Sequence, residues 1–328
     1  MSKIRLLSML ADGEFHSGQV LAAALGVSRT AIWKQLKQLE EQGLELDSVR
    51  GLGYRITGGV ELLVKQDIVD SIEPAVRDRL GELLLFDVID STNAEALRRI
   101  GDGAGCGLVV SAEQQSAGRG RRGRPWMSPF GRNIYLSVVG QFSQGAGALE
   151  GLSLAVGVCV VRVLARLGIS GLQLKWPNDL LYKGAKAGGI LLEMVGDTAG
   201  LCQVVVGVGV NVAMPSPAAA KIDQPWTDLS TIAIQAGVHP PPRNLLLAKL
   251  ISELLSLLQT FEASGFSPWR QHWMALDAFA GQPVVVSSAH RQIGGVARGV
   301  DKRGALQLET SLGLQSLYGG EISLRPAL

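Results

Sequence analysis

This sequence predicts an α+β multidomain chain: a small helical unit with a β-hairpin, a central mixed β-sheet domain with helices, and a short all-β unit at the end. Three observations predict it. Residues 1 to about 60 hold three helical segments with apolar stripes and then an alternating stretch. Residues from Leu83 to Val212 interleave short apolar runs with one long apolar helical run. From Gly281 onward short β segments separated by turns take over. A length of 328 residues accommodates two or three domains, placed at residues 1–62, 63–278 and 279–328.

Composition narrows the function classes. Hydrophobic content of 47% and charged content of 18% describe a globular protein with sizeable cores. A net charge of +2 is too small to make the whole surface a nucleic-acid binder, so any DNA contact must come from a local patch. Cys106, Cys159 and Cys202 are widely spaced and odd in number, which argues against a disulfide framework, and with four scattered histidines no structural metal site is expected. The N-terminus lacks the pattern of a signal peptide, and the apolar run Gly151–Leu167 contains Arg162 and is short for a membrane span, so a cytoplasmic protein is expected.

The elements follow in order. Ile4, Leu6, Leu7 and Leu10 make a first amphipathic helix. Ser17 caps a second, Gly18–Leu25, and Ser28 a third, Arg29–Gln42, with Ile32, Leu36 and Leu39 on one face. Two helices joined through Gly-Val-Ser form a helix-turn-helix, the third helix being the reading element. Leu44–Ile56 alternates like a hairpin with Arg50-Gly51-Leu52-Gly53 at its tip, a wing. Ser28, Arg29, Thr30, Lys34, Arg50 and Arg55 are the candidate DNA-contacting residues; the alternative is a solvated helical module for protein contacts.

In the central region, strand Leu83–Ile89 runs into Asp90-Ser91-Thr92-Asn93, which caps helix Ala94–Ile100 and offers hydroxyls and free N–H groups to a carbonyl or anion. Between the strands Leu108–Val110 and Asn133–Val139 lies Gly118-Arg119-Gly120-Arg121-Arg122-Gly123-Arg124-Pro125-Trp126, with four arginines and three glycines in nine residues. Forked guanidinium donors and glycine backbone suit an anion-gripping loop; the plainer reading is a solvated basic loop. Helix Gly151–Leu167 leads to strand Leu172–Lys175 and the bend Trp176-Pro177-Asn178-Asp179. After a hairpin at Lys183-Gly184, Lys186 precedes Gly188-Gly189-Ile190, where it either reaches a negative reacting centre or merely guards an edge strand. Leu201–Val212 alternates glycine and valine, a sign of close approach by a ligand or backbone. Residues 213–228 are Pro-, Ala- and Ser-rich and read as a lid or a disordered segment, and helices Asn244–Ala263 and Ser267–Leu276 precede the terminal β unit.

The arginine loop with Trp126, then Lys175-Trp176-Pro177-Asn178-Asp179, then Lys186 before Gly188-Gly189-Ile190, resemble the biotin protein ligases, and the closing Gly319–Arg325 extends the resemblance over the whole chain. With the leading winged helix it is similar to the bifunctional bacterial form. The resemblance implies a central catalytic sheet of the class II aminoacyl-tRNA synthetase/biotin ligase-like kind and an SH3-like terminal barrel. It implies activation of biotin by ATP with Mg2+, giving biotinyl-5′-adenylate, transfer to a lysine of the biotin carboxyl carrier protein of acetyl-CoA carboxylase, and repression at biotin operator DNA by a homodimer formed when adenylate is bound. By the resemblance, Ser91, Thr92, Asn93 and Gln115 hold biotin's rings; Arg119, Gly120 and Arg121 close over carboxylate and phosphate; and Lys186 stabilises charge without acting as a nucleophile. Arg119, Arg121 and Lys186 are thus the catalytic candidates, and Trp126, Asn178, Asn211, Trp226 and Arg325 serve the nucleotide. Pro125 departs from the lysine usual before the tryptophan, and residues 213–225 are unusually rich in Pro and Ala. A lipoate ligase or a sensor-only transcription factor are the competing readings; the winged helix argues against the first, and the presence of Lys186, Arg119 and Arg121 against the second.

Overall fold

The computed structural model describes residues 2–41, 43–215, 218, 220, 222–288, 291–319 and 323–326. Gln42, expected to end the third helix, Gly320–Ile322 of the closing motif, and residues 216, 217, 219 and 221 of the expected lid lie outside the described residues.

The front unit contains α1 (Ser2–Leu10), α2 (Gly18–Leu25), α3 (Arg29–Glu41) and the hairpin β1 (Leu46–Val49) with β2 (Gly53–Ile56). Ser17 accepts from the Val20 N–H to start α2, and Gly26 ends it in the left-handed region, at φ 65°, a conformation glycine adopts without steric cost. Leu6, Leu10, Leu21, Ile32, Leu36, Leu39 and Ile56 form its core. Phe130, from the segment before the third sheet strand, inserts into this same core, and Arg132 donates to the carbonyls of Gly59 (3.0 Å) and Thr57 (3.1 Å). The front unit is therefore docked on the central domain. Helix α4 (Lys65–Ser71) and a 3-10 turn (Pro74–Arg79) follow the linker.

The central sheet has seven strands: β3 (Glu82–Ile89), β4 (Leu108–Gln115), β5 (Ile134–Phe142), β6 (Leu172–Lys175), β7 (Asp179–Tyr182), β8 (Ala185–Gly196) and β9 (Cys202–Val210). Their order is β3-β4-β5-β9-β8-β7-β6, with β3 and β4 parallel and every other neighbouring pair antiparallel. Strand alternation divides the faces. Val204, Val206, Val208 and Val210 join Leu136, Val138 and Ile190 in a large core under α6 (Leu152–Arg166) and α8 (Arg243–Ser264). Val205, Val139 and Val110 face the other way, against Ala96 and Leu97 of α5 (Thr92–Gly101). The stretches Ala146–Arg166 and Arg243–Ser264 are long and apolar enough to cross a membrane by length and composition, but their apolar side chains fill the main core.

Helix α7 (Leu229–Ala236) was not anticipated: Asp228 caps it by accepting from Thr231 N–H at 2.8 Å, so the Pro- and Ala-rich segment ends in regular structure. After α8 comes α9 (Arg270–Leu276), then β10 (Pro283–Ser287), β11 (Gln292–Val300), β12 (Leu306–Thr310), β13 (Gly313–Leu317) and β14 (Ser323–Pro326). These five strands form an antiparallel sheet in the order β13-β12-β11-β10-β14. Its Val284, Val286, Leu306 and Leu308 belong to the main core, and the Trp176 indole N–H reaches the Gly304 carbonyl at 3.1 Å. Trp176 thereby locks the terminal unit onto the central one.

Candidate active site

The α5 face of the sheet is covered by apolar side chains at one end and floored by glycine at the other. In register across β8, β9 and β5 stand Gly189, Gly209 and Tyr135, then Leu191, Gly207 and Ser137. A Cβ at Gly207 would lie 2.4 Å from Asn93 Oδ1, and one at Gly209 would lie 2.7 Å from the Trp126 indole. Only hydrogen at these two positions lets the amide and the indole come down onto the backbone.

Into this space points the start of α5. Ser91 caps the helix, accepting from Ala94 N–H at 3.4 Å. Thr92 donates from both N–H (2.8 Å) and hydroxyl (3.1 Å) to Gln115 Oε1. The Ser137 hydroxyl lies 2.8 Å from Thr92 Oγ1 and 2.6 Å from Asn93 Oδ1. Asn93 Nδ2 donates to Glu193 Oε2 at 2.7 Å, and Gln115 Nε2 to Ser128 Oγ at 3.1 Å. Thr92, Asn93 and Gln115 thus join Ser128, Ser137 and Glu193 in one hydrogen-bonded polar chain, with the Ser91 cap beside it. It supplies donors and acceptors in alternation, which suits a flat ligand carrying both.

The arginine loop folds over this wall. Gly120 N–H donates to the Arg124 carbonyl at 2.7 Å and Trp126 N–H to the Gly118 carbonyl at 2.8 Å, so the pairing of Arg119 with Pro125 makes no use of an N–H at 125. Proline is therefore accommodated without loss of a hydrogen bond. Arg122 takes a left-handed conformation at φ 60°, an uncommon one for a non-glycine residue that marks a tight tip. The Trp126 indole lies over Gly209 with Lys186 Nζ 5.5 Å from its ring centroid, and its own N–H is buried without an acceptor among the described residues. The Trp126 ring therefore lies between the glycine floor of the sheet and the Lys186 ammonium.

A cationic group adjoins it. Lys186 Nζ pairs with Asp179 Oδ1 at 2.6 Å, and Lys175 Nζ lies 3.7 Å from the other oxygen of Asp179. Arg121 Nη1 donates to Asn178 Oδ1 at 3.2 Å, while Asn178 Nδ2 donates to the Ile190 carbonyl at 2.9 Å. Arg119 Nη2 lies 3.8 Å from Glu193 Oε1. Burial pulls the Arg121 guanidinium below its ordinary value, with Asp179 opposing. Burial does the same to the Lys175 ammonium; Asp179 resists, and the positive charges of Lys186 and Arg325 add to the pull. A half-dry cluster of like charges balanced by one aspartate is built to receive an anion.

Other candidates take supporting positions. Trp226 pairs its backbone with Lys186 through Lys186 N–H to the Pro225 carbonyl and Thr227 N–H to the Lys186 carbonyl, each 2.9 Å. Buried Asn211 donates to the Thr227 carbonyl at 3.1 Å and faces the Lys186 carbonyl at 3.4 Å, which makes it a brace for Lys186. Arg325 stands on β14, close enough for its charge to act on Lys175. Lys175 and Asp179 were noted only as part of a motif, without a role, and Ser128, Ser137 and Glu193 were not singled out beforehand. A serine inside the apolar run Ile134–Val139 was the available signal for Ser137; Glu193 offered none.

At the front unit, Ser28 caps α3, accepting from Ala31 N–H at 3.2 Å, and Arg29, Thr30, Lys34 and Arg50 are exposed. Arg55 is instead held by Asp47 at 2.8 Å and stacked over Phe15 at 4.5 Å. Trp33, 49% exposed on α3 with the Lys37 ammonium 4.9 Å from its ring centroid, is a further aromatic group on this basic helix.

Sequence comparisons agree with this geometry. The biotin/lipoate A/B protein ligase family matches residues 85–211, an HTH domain residues 3–55, and the biotin protein ligase C-terminal domain residues 279–325. Fold and site thus define a protein of the biotin/lipoate ligase class with a helix-turn-helix at its front. The bifunctional ligase/repressor BirA of Escherichia coli is 41% identical over 99% of this chain and 97% of its own length. The protein of the same name from Bacillus spizizenii is 32% identical over 96% and 95%. The biotin protein ligase from Aquifex aeolicus solved in complex with biotin and ATP matches with a TM-score of 0.62 at 25% identity, over 75% of this chain and 100% of that one. The chain belongs to the bifunctional ligase/repressor family, biotin ligases that carry a DNA-binding repressor module.

Proposed function

We propose that this chain runs biotin ligation in two steps on the site described and represses transcription through its winged helix. Biotin lies on the Gly207–Gly209 floor, its rings held by Ser91, Thr92, Asn93 and Gln115 and covered by Trp126. Its carboxylate oxygen attacks the α-phosphorus of ATP; the new C–O–P linkage forms as the bond to pyrophosphate breaks, giving biotinyl-5′-adenylate. Arg119, Gly120 and Arg121 close over carboxylate and phosphate, and Lys186 meets the charge that builds up between them, acting as a fixed cation. Asn178, Asn211, Trp226 and Arg325 serve the nucleotide side, the first two by holding Arg121 and Lys186 in place. A lysine amine of the biotin carboxyl carrier protein then attacks the anhydride carbonyl and releases AMP. Among the described residues no group of three or more potential ligands is gathered that could hold a metal ion, and Asp179 is engaged by lysines. Mg2+ would enter with ATP as part of the substrate and neutralise the departing pyrophosphate.

The observation that carries this reading is the juxtaposition of Arg121, Lys175 and Lys186 around Asp179 with the hydroxyl and amide chain of α5, β4 and β5. Adenylation needs charge neutralisation more than a nucleophilic side chain, and this cluster of cations supplies it. Loops that order around the adenylate favour a homodimer, and the dimer presents two winged helices to a palindromic operator, so ligand and dimerisation strengthen each other. The work is cytoplasmic, where ATP, carrier and operator DNA meet. Incubation with biotin, MgATP and a carrier domain tests it: the carrier gains the mass of biotin, and Lys186→Ala slows the gain by about 10^2- to 10^3-fold. Biotin-dependent operator binding without any transfer would instead identify a sensor.

A further inference from the structure

Glu193 stands where the two halves of the site meet, and no role in the ligation has been given to it. It faces the pocket from β8, in register with Val205 of β9, two residues beyond Leu191 opposite Gly207. One oxygen accepts from Asn93 Nδ2 at 2.7 Å; the other lies 3.8 Å from Arg119 Nη2. A carboxylate only accepts, so this contact fixes which end of the Asn93 amide faces which partner. Nδ2 points to Glu193 and to the Leu191 carbonyl at 3.5 Å, leaving Oδ1 to Ser137 at 2.6 Å and to the floor over Gly207. The same carboxylate competes with any anionic ligand for Arg119.

We propose that Glu193 is a positioning residue with two opposed effects: it orients Asn93 for the neutral ring system of the ligand, and it holds Arg119 back from the ligand's carboxylate or phosphate until one displaces it. The inference rests on the biotin-ligase reading of this site. It makes Glu193 the element that sets how readily the arginine loop closes. The charge of the pair works against anion binding, while the acceptor it offers to Asn93 works in favour of ring binding. The two functions are separable by chemistry.

Biotin binding measured by calorimetry on the full chain separates them. Glu193→Gln keeps an acceptor near Asn93 but removes the charge that restrains Arg119, so biotin binds tighter by about two- to five-fold, the range expected for a partly exposed ion pair. Glu193→Ala also removes the acceptor, the Asn93 amide turns freely, and biotin binds more weakly than to the wild type. The gain in Glu193→Gln shrinks at about 0.5 M salt, where exposed ion pairs are screened. It vanishes in an Arg119→Ala background, which a merely structural change would not do. Both substitutions shifting affinity in the same direction, or a gain that persists without Arg119, overturns the proposal. A wild-type chain that binds no biotin overturns the ligase reading itself, and the proposal with it.

Discussion

At the scale of single residues, the site is made by what two glycines leave out and by what a few polar groups share. Gly207 was legible as a glycine in an apolar strand and therefore as a place of close approach. Which group approaches is decided by β9 lying beside β5 and facing α5, a pairing that joins residues 134–142 to 202–210 and that no local pattern encodes. For the same reason Lys186 could be weighed only against an edge-strand role, whereas the structure sets it against Asp179 in the second strand from the sheet edge, β8 lying inside β7 and β6. Gly207→Ala tests the close approach. The added methyl would meet Asn93 Oδ1 at 2.4 Å, backed by Ser137 and Glu193, so Asn93 must leave its position. Biotin affinity should fall by at least about ten-fold, worth roughly 1.4 kcal/mol, while the far-ultraviolet circular dichroism stays that of the wild type. Affinity equal to wild type would show that Asn93 takes no part in holding the ligand.

At the scale of elements, the helix start that carries Ser91, Thr92 and Asn93 is stapled from outside. Arg98 forks onto Asp90 at 2.8 and 2.9 Å and reaches Glu95 at 2.9 Å, while Arg99 holds Glu95 at 2.8 Å. Hydrogen bonding from Arg98 is the largest influence on Asp90 and holds its carboxyl at about 2, against the opposing effect of burial. Because the folded value is depressed, the stabilisation from Asp90 is complete above the ordinary carboxylate range and is lost as pH falls from about 4 towards 2. Thermal melts should thus show Asp90→Asn less stable than wild type at pH 7, with the gap closing over that acid range. A gap that stays constant down to pH 2 would remove the staple from the account. Elements with a serine cap and an apolar stripe, α2 and α3, or with a long apolar run, α6 and α8, were readable in advance. Those that were missed, α7 and β14, are short and follow stretches without pattern. α7 has Asp228 before Leu229, Ile232 and Ala233, but the Pro- and Ala-rich segment ahead of it masked the start.

At the scale of the whole molecule, the linker between the winged helix and the catalytic sheet is not a free tether. Buried Arg243, at the start of α8, donates to the Asn133 carbonyl at 2.9 Å, pairs with Glu113 of β4 at 2.8 Å and bonds the Glu61 carbonyl. Asn244 beside it donates to Glu61 at 2.7 Å and to the Leu62 carbonyl at 2.9 Å, and accepts from Val64 N–H at 2.8 Å. Glu113 lies two residues before Gln115, and Phe130, in the winged-helix core, lies four residues after Trp126. The candidate site and the winged-helix unit therefore share one buried polar joint. Substituting Arg243 by Met preserves the bulk of the side chain but leaves the Glu113 carboxylate in the interior without its counter-ion, a change that costs about 3–5 kcal/mol when a buried pair is broken from one side. The expected result is a lower melting temperature and faster proteolytic cleavage near Glu61, whose carbonyl loses its guanidinium partner. Adding Glu113→Gln removes the stranded charge, so the double variant should regain much of the lost stability while the linker stays more cleavable than in the wild type. If the single and double variants melt alike, the loss comes from packing around Arg243, and the joint is held by shape and not by this charge pair.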